Sequence, residues 1–242
     1  MTDSTSGPGP AKAALWEDFV DIFFQPADVF DRRRAGKFGL ALLVLSLTGG
    51  LLYLLFMNAL GPINDAEIAR TQAMTLSANP EINAEQVAQG NAMMEKFAVV
   101  AYVFGLPFGV FVAGVLLWVA GKLFGATESV ATAVMVATYS HFPRLVELAV
   151  NAVQGILMSP ENITSRYSVS LGAGRFFDAT TTDPILMHLI GHVDLFNIWV
   201  TVLLGIGLYV TAGIKKKSAA IAAGLVWLTS VVPALFGLLM QA

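Results

Sequence analysis

The sequence predicts an all-α, polytopic membrane protein with five transmembrane helices, its N-terminus cytoplasmic and its C-terminus outside, preceded by an amphipathic surface helix. Three observations predict it. Hydrophobic residues make up 56% of the 242 residues and charged residues only 13%, far from the balance of soluble domains. The apolar residues gather into five runs, each near or above the ~20 residues that cross ~30 Å of hydrocarbon. The basic residues, finally, alternate in number from one connecting segment to the next.

The chain opens on a stretch rich in Ser, Thr, Gly and Pro, so residues 1–12 are expected to be a disordered tail. Residues 13–37 form a cytoplasmic leader. Within it Leu15, Trp16, Phe19, Ile22 and Phe23 recur at three- and four-residue steps, with Glu17, Asp18 and Asp21 between them, the pattern of a helix lying on a membrane surface. Pro26 should end or redirect that helix. Arg32, Arg33, Arg34 and Lys37 then make a basic collar. No cleavable signal peptide is visible, because the first apolar run follows a polar leader and is long enough to span.

Residues 38–242 carry the spans, expected at Phe38–Leu60, Phe97–Gly121, Val130–Leu157, Val193–Gly213 and Ala219–Met240. All must be helical, since lipid offers the backbone no hydrogen-bond partners. Lys12, Arg32, Arg33, Arg34, Lys37, Lys122, Lys215, Lys216 and Lys217 fall on one side of such a topology, and only Arg70, Lys96, Arg166 and Arg175 on the other. The positive-inside rule places the first side in the cytoplasm. In the first outer loop, Asn79-Pro80 should separate a helical piece around Asp65–Thr75 from one that starts near Asn83 and runs unbroken into the second span. The outer segment Met158–His192 reads equally as an ordered lid or a mobile loop. Small residues at Gly105 and Gly109, Gly205 and Gly207, and Ala220 with Gly224 suggest close helix packing.

Polar residues interrupt the third span. Ser140, Arg144, Glu147, Asn151 and Gln154 recur at steps of four and three, one face of a helix. A rise of about 1.5 Å per residue from Ser129 puts Ser140 and His141 near the midplane and Glu147 about 27 Å along. An arginine near the midplane costs about 2.5–3.5 kcal/mol, so Arg144 should face the bundle interior and be paired, with Glu147 the nearest partner. Pro143 should kink this span. Asp194, Asn197 and Thr201 offer a matching face on the fourth span. The two stripes share a depth, so Asp194 is a second expected partner for Arg144, or else a helix cap at the interface. Two readings stand for the set: an outward-opening polar cavity that takes a ligand or transported species, or an interhelical polar clamp.

His188 and His192 share a helical face at i and i+4, the spacing of helical zinc sites, but no third ligand is evident and a metal is not expected. Absent too are a Gly-rich phosphate loop, a Gly-x-Ser-x-Gly elbow and a His-Glu-x-x-His helix, so neither a catalytic residue nor a cofactor is predicted. Cysteine is missing altogether, which removes disulfides and thiol chemistry. The net charge of −3, with basic residues only at the ends of apolar runs, argues against nucleic acid. The partners expected are the lipid bilayer, a cytoplasmic protein met through the N-terminal helix, and a second copy of the chain.

Four segments in this order resemble the YIP family of Ypt/Rab-GTPase-interacting membrane proteins, and its bacterial branch in particular. They are Phe24-Gln25-Pro26-Ala27-Asp28-Val29-Phe30, Gly121 through Ser129, Tyr139 through Pro143, and Asp194-Leu195-Phe196-Asn197-Ile198-Trp199. The resemblance implies five spans with a cytoplasmic N-terminus. In eukaryotic members it implies roles in vesicle trafficking and membrane shaping, through partners that include small GTPases. The short tail here lacks the eukaryotic tail motifs, so GTPase binding does not carry over. The expectation is a non-enzymatic scaffold, membrane-organising or partner-binding protein of a bacterial cytoplasmic (inner) membrane, the alternative being a transporter or channel-like protein that uses the polar stripes.

Overall fold

A computed structural model describes residues 15–78, 81, 83–229, 231 and 232. The expected tail, the Asn79-Pro80 break and the end of the fifth expected span lie outside the described residues. Among the described residues the chain is helical, with no β-strand and a single isolated bridge, Gly172 to Asp194. Ten α-helices follow in order: α1 (Leu15–Phe24), α2 (Pro26–Arg32), α3 (Gly39–Ala78), α4 (Ala84–Lys96), α5 (Ala98–Lys122), α6 (Val130–Ser140), α7 (Pro143–Leu157), α8 (Pro184–His192), α9 (Leu195–Ala212) and α10 (Lys216–Thr229). Three are long and apolar enough to cross a membrane: Gly39–Ser77, Ala98–Lys122 and Leu195–Ala212. The chain is thus an α-helical membrane protein.

The third apolar run is two helices. Pro143 has no N–H to return to the Tyr139 carbonyl, and that carbonyl instead accepts from Phe142 N at 3.2 Å. His141 and Phe142 form a tight turn between α6 and α7. The eleven residues of α6 are the centre of the molecule, with Thr132 through Ser140 all buried. Helices α5, α9, α3 and α1 pack around it, α10 packs on α5 and α9, and α7 on α3 and α9.

The first span differs from expectation at its far end. It does not stop at Leu60, and no separate piece begins near Asp65, because α3 runs for 40 residues through Pro62. The stretch after Pro62 is dense in good helix formers (Ala, Glu, Arg, Gln, Met), which outweighs one missing backbone bond. The second span is also not continuous with the helix before it, for Phe97 leaves helical geometry (φ −100°, ψ 4°) between polar α4 and apolar α5.

The leader is docked against the bundle instead of lying free on a surface. Its apolar residues divide: Ile22 is buried, Phe19 stacks on Phe142 at 4.9 Å, and Phe23 meets Trp199 edge-on at 5.7 Å. Trp16, Val20 and Phe24, at i, i+4 and i+8, point away and are exposed. Asp18 lies on the inward face with no solvent exposure, held by Arg32 Nη2 at 2.7 Å and Arg33 Nε at 2.5 Å. A buried carboxylate is tolerated only when paired in this way. The collar is therefore mostly spoken for, since Arg34 also donates to the Val210 carbonyl at 2.6 Å.

Contacts between distant segments fall at two ends. At the base, Arg34 meets Thr132 and Val210, and Thr127 meets Ala212, with Gly213 closing α9 in the left-handed conformation (φ 70°) that suits glycine. At the roof, Arg166 N donates to Glu67, Gln154 to the Val169 carbonyl, and His192 touches the Trp227 carbonyl.

Candidate functional site

The roof segment is an ordered cover. Short 3-10 turns at Pro160–Asn162, Arg166–Val169 and Ala173–Phe176 fold it back on the bundle. Ile163 and Val169 join Leu60, Ile63 and Ala152 in a second apolar cluster. Backbone bonds from Ala173 to Val193 (3.0 Å) and from Leu195 to Leu171 (3.2 Å) pin it across the start of α9.

Beneath this cover lies a chamber of about 290 Å³. Arg144, Glu147 and Asn151 reach it from α7, His188 and His192 from α8, and Asp194 and Asn197 from the start of α9. Arg144 Nη1 donates to Glu147 at 2.6 Å, and its Nη2 donates to Asn197 Oδ1. Asn197 Nδ2 passes the chain on to the His192 carbonyl at 3.1 Å. The i, i+3 spacing on α7 dictates the first contact and the meeting of α7 with α9 dictates the second.

Asp194 does not pair with Arg144. Its Oδ1 caps α9 by accepting from Phe196 N at 2.8 Å, where a negative charge also suits the helix dipole. Its Oδ2 is buried and has no partner among the described residues. The same holds for His188 Nε2. The two imidazoles face one another at 6.3 Å between ring centroids, and His192 also lies 4.9 Å from the Trp227 ring. Burial, then the charges of Arg166, His192 and Arg70, hold His188 below the usual histidine range. His192 is lowered as well, by burial above all, with Arg144 and Arg166 adding to it. Among the described residues no three metal-ligating side chains come together.

The other sequence-predicted residues stand apart from the chamber. Ser140 is buried in α6, away from the chamber. His141 bonds the Ala137 carbonyl through Nδ1 at 2.7 Å. Gln154 is used in tying down the roof, between Val169 and Arg175. Thr201 returns its hydroxyl to the Asn197 carbonyl at 2.7 Å. In the opposite direction, the chamber includes Arg166, Tyr167 and Ser170 of the roof, which carried no periodic signal in the sequence. Arg166 was legible only as an outer basic residue.

A second hollow, a groove of about 600 Å³, lies between α5 and α7. Arg144, Glu147 and Asn151 line both hollows. The groove's α5 wall combines Ala101, Gly105, Gly109 and Ala113, at steps of four, with Tyr102, Leu106 and Val110. The close packing expected at Gly105 and Gly109 is not there: nothing among the described residues lies within 4 Å of a Cβ built on either, nor on Gly224. At Gly207 the expectation holds, for a Cβ there would collide with Val136 and crowd Phe30.

A family profile for the Yip1 domain matches residues 20–238. The chain belongs to the Yip1 domain family. This Yip1-domain protein is also 30% identical over 129 residues to the Bacillus subtilis (strain 168) protein described as "Membrane protein YknW", an alignment that covers 53% of this chain and 49% of that protein. The chain thus spans about half the length of the curated relative it matches. No solved structure matches it.

Proposed function

We propose that this Yip1-domain protein is a non-enzymatic, five-span membrane-organising protein of a bacterial inner membrane, and that its leader acts as a wedge inserted beside the bundle, reaching from the cytoplasmic base to about the bilayer midplane. The supporting observation is the docked pose of α1. Its inward face reaches Phe142 and Trp199, well past the N-terminus of α6, while Trp16, Val20 and Phe24 form an exposed apolar stripe. An apolar stripe clamped beside the bundle displaces lipid on one side only, and buried apolar area of this kind drives interfacial binding. The separation of contacts into base and roof supports the five-span topology, with the base, rich in Arg and Lys, in the cytoplasm.

The test is reconstitution into liposomes of the full chain and of a Trp16→Ser/Val20→Ser/Phe24→Ser variant, which leaves Asp18 and Ile22 in place. The intact protein should give smaller, more curved vesicles than the variant at equal protein density. Identical size distributions would overturn the wedge and favour a protein partner for the stripe.

A second reading is favoured by the chamber: a ligand-binding or transport site opening toward the outside. A closed polar clamp would leave no hollow beside Arg144, whereas here a space of about 290 Å³ adjoins a carboxylate oxygen with no hydrogen-bond partner among the described residues.

A further inference from the structure

Building on the reading of the chamber as a ligand site, we infer that the chamber and the groove are one site for a membrane lipid, whose head carries both a phosphate and an amine. The head occupies the chamber and an acyl chain lies in the groove.

Adjacency is the first argument. Arg144, Glu147 and Asn151 line both hollows, so these three side chains are all that the two are shown to share as a border, and a lipid seated across them touches both. The hollows also differ in character as the parts of a lipid do. The chamber is walled by charged and polar groups, while the α5 side of the groove from Ala101 to Ala113 is apolar except for the Tyr102 hydroxyl and runs about 18 Å along the helix.

The glycines are the second argument. Within membranes glycine commonly lets two helices approach closely. Gly105 and Gly109 have no neighbour among the described residues: both are exposed, with open space where a Cβ would stand. They keep a furrow open along the side of the bundle, where lipid chains are the available filling.

Charge selects the head. Arg144 and Arg166 bring two guanidinium groups to the chamber, and the planar guanidinium fork matches phosphate oxygens. Glu147 and Asp194 answer with two carboxylates, and Asp194, only 4% exposed, has an Oδ2 without a partner among the described residues. An ammonium donor satisfies that oxygen; a phosphate alone would meet it with repulsion. A head of both charges leaves the site neutral, whereas an anionic glycerol head offers Asp194 only a hydroxyl.

The test uses the full chain in detergent, with bound lipid read by native mass spectrometry after addition of phosphatidylethanolamine, phosphatidylglycerol or free phosphoethanolamine. Phosphatidylethanolamine should be retained about tenfold better than phosphatidylglycerol, the worth of one charge-assisted hydrogen bond. Gly105→Leu/Gly109→Leu should abolish that retention by filling the furrow. Asp194→Asn, which keeps a competent helix cap, should erase the preference between the two lipids. Equal retention of both lipids by the unaltered protein, or retention unaffected by the leucines, overturns the inference. If free phosphoethanolamine binds as well as the lipid and ignores the leucines, the lipid site is wrong while the chamber stands as a site for a soluble solute. If the folded protein retains none of the three, the lipid inference falls, and the chamber reading loses its support as well.

Discussion

Arg144 on α7 donates to Asn197 on α9 and so joins two helices whose polar stripes lie 53 residues apart in the chain. The same guanidinium holds Glu147, and both side chains of that ion pair are largely shielded, at 28% and 23% exposure. Replacing Arg144 by Leu leaves Glu147 and Asn197 without their donor and should lower stability by about 1–3 kcal/mol. Arg144→Lys should recover only part of this, because an ammonium cannot serve both partners in one plane. Thermal unfolding in detergent of the two variants checks the order.

Asp18→Asn should be the most costly change to any charged residue of the leader. It leaves Arg33, and in part Arg32, which keeps Asp21 at 2.6 Å, facing a buried neutral amide, a loss of about 1.5–3 kcal/mol for a charge-assisted hydrogen bond. Asp31→Asn is the control: its pair with Arg34 is exposed on both sides and should contribute at most about 1 kcal/mol. Equal effects of the two substitutions would show that the Asp18 clamp is not formed.

The absence of cysteine allows accessibility to be read one position at a time. Single cysteines at Asn151 and Glu147 should react with a membrane-impermeant thiol reagent added from outside, because both line the chamber. A cysteine at Ser140, buried in α6, should stay protected. Labelling of Ser140 together with protection of Asn151 would contradict the placement of the chamber.

The small residues give a pair of opposite outcomes. Gly207→Ala should destabilise by about 1–3 kcal/mol through overpacking against Val136. Gly109→Ala meets open space and should be neutral or stabilising by up to about 1 kcal/mol, from helix propensity alone. Melting temperatures of the two variants separate packing glycines from glycines that keep a furrow open.

Acid should loosen the roof. The pKa of His188 is lowered in the folded protein, so its contribution to stability is complete above the ordinary histidine value near 6.5 and is lost as pH falls through the lowered value. Burial first, then Arg166, His192 and Arg70, oppose its protonation, while Asp194 and Glu147 are carboxylates of the same chamber wall. Stability measured between about pH 7 and pH 5 should decline, and His188→Gln should remove part of that decline. An unchanged slope in the variant would assign the acid sensitivity elsewhere.

Much of this site was legible in the sequence, for a physical reason. Arg144, Glu147 and Asn151 repeat at helical steps inside an apolar run, and Asp194 and Asn197 do so on a neighbouring run at similar depth, so cost and geometry both drew attention to them. Arg166, Tyr167 and Ser170 were not legible, because 3-10 turns and one isolated bridge carry them there, and these have no periodic signature. The inward position of Asp18 was not legible for a different reason. Amphipathic spacing shows that α1 has two faces, but the choice of inward face depends on Arg32 and Arg33, which lie beyond Pro26. Gly105 and Gly109 show the same limit, since a small residue looks alike in sequence whether it admits a helix or leaves a gap.

The docking of the leader has a consequence for biogenesis. Arg34 waits for a carbonyl 176 residues further along the chain, and Phe30 packs beside Gly207 in the same distant helix. When the ribosome has inserted the first apolar helix, the leader has nothing to hold. Phe142 and Thr132 offer it a first hold once α6 has entered the bilayer, but the seat is complete only after α9 follows, so the earliest-made segment settles late and a nascent chain truncated before Gly207 leaves its leader half-seated.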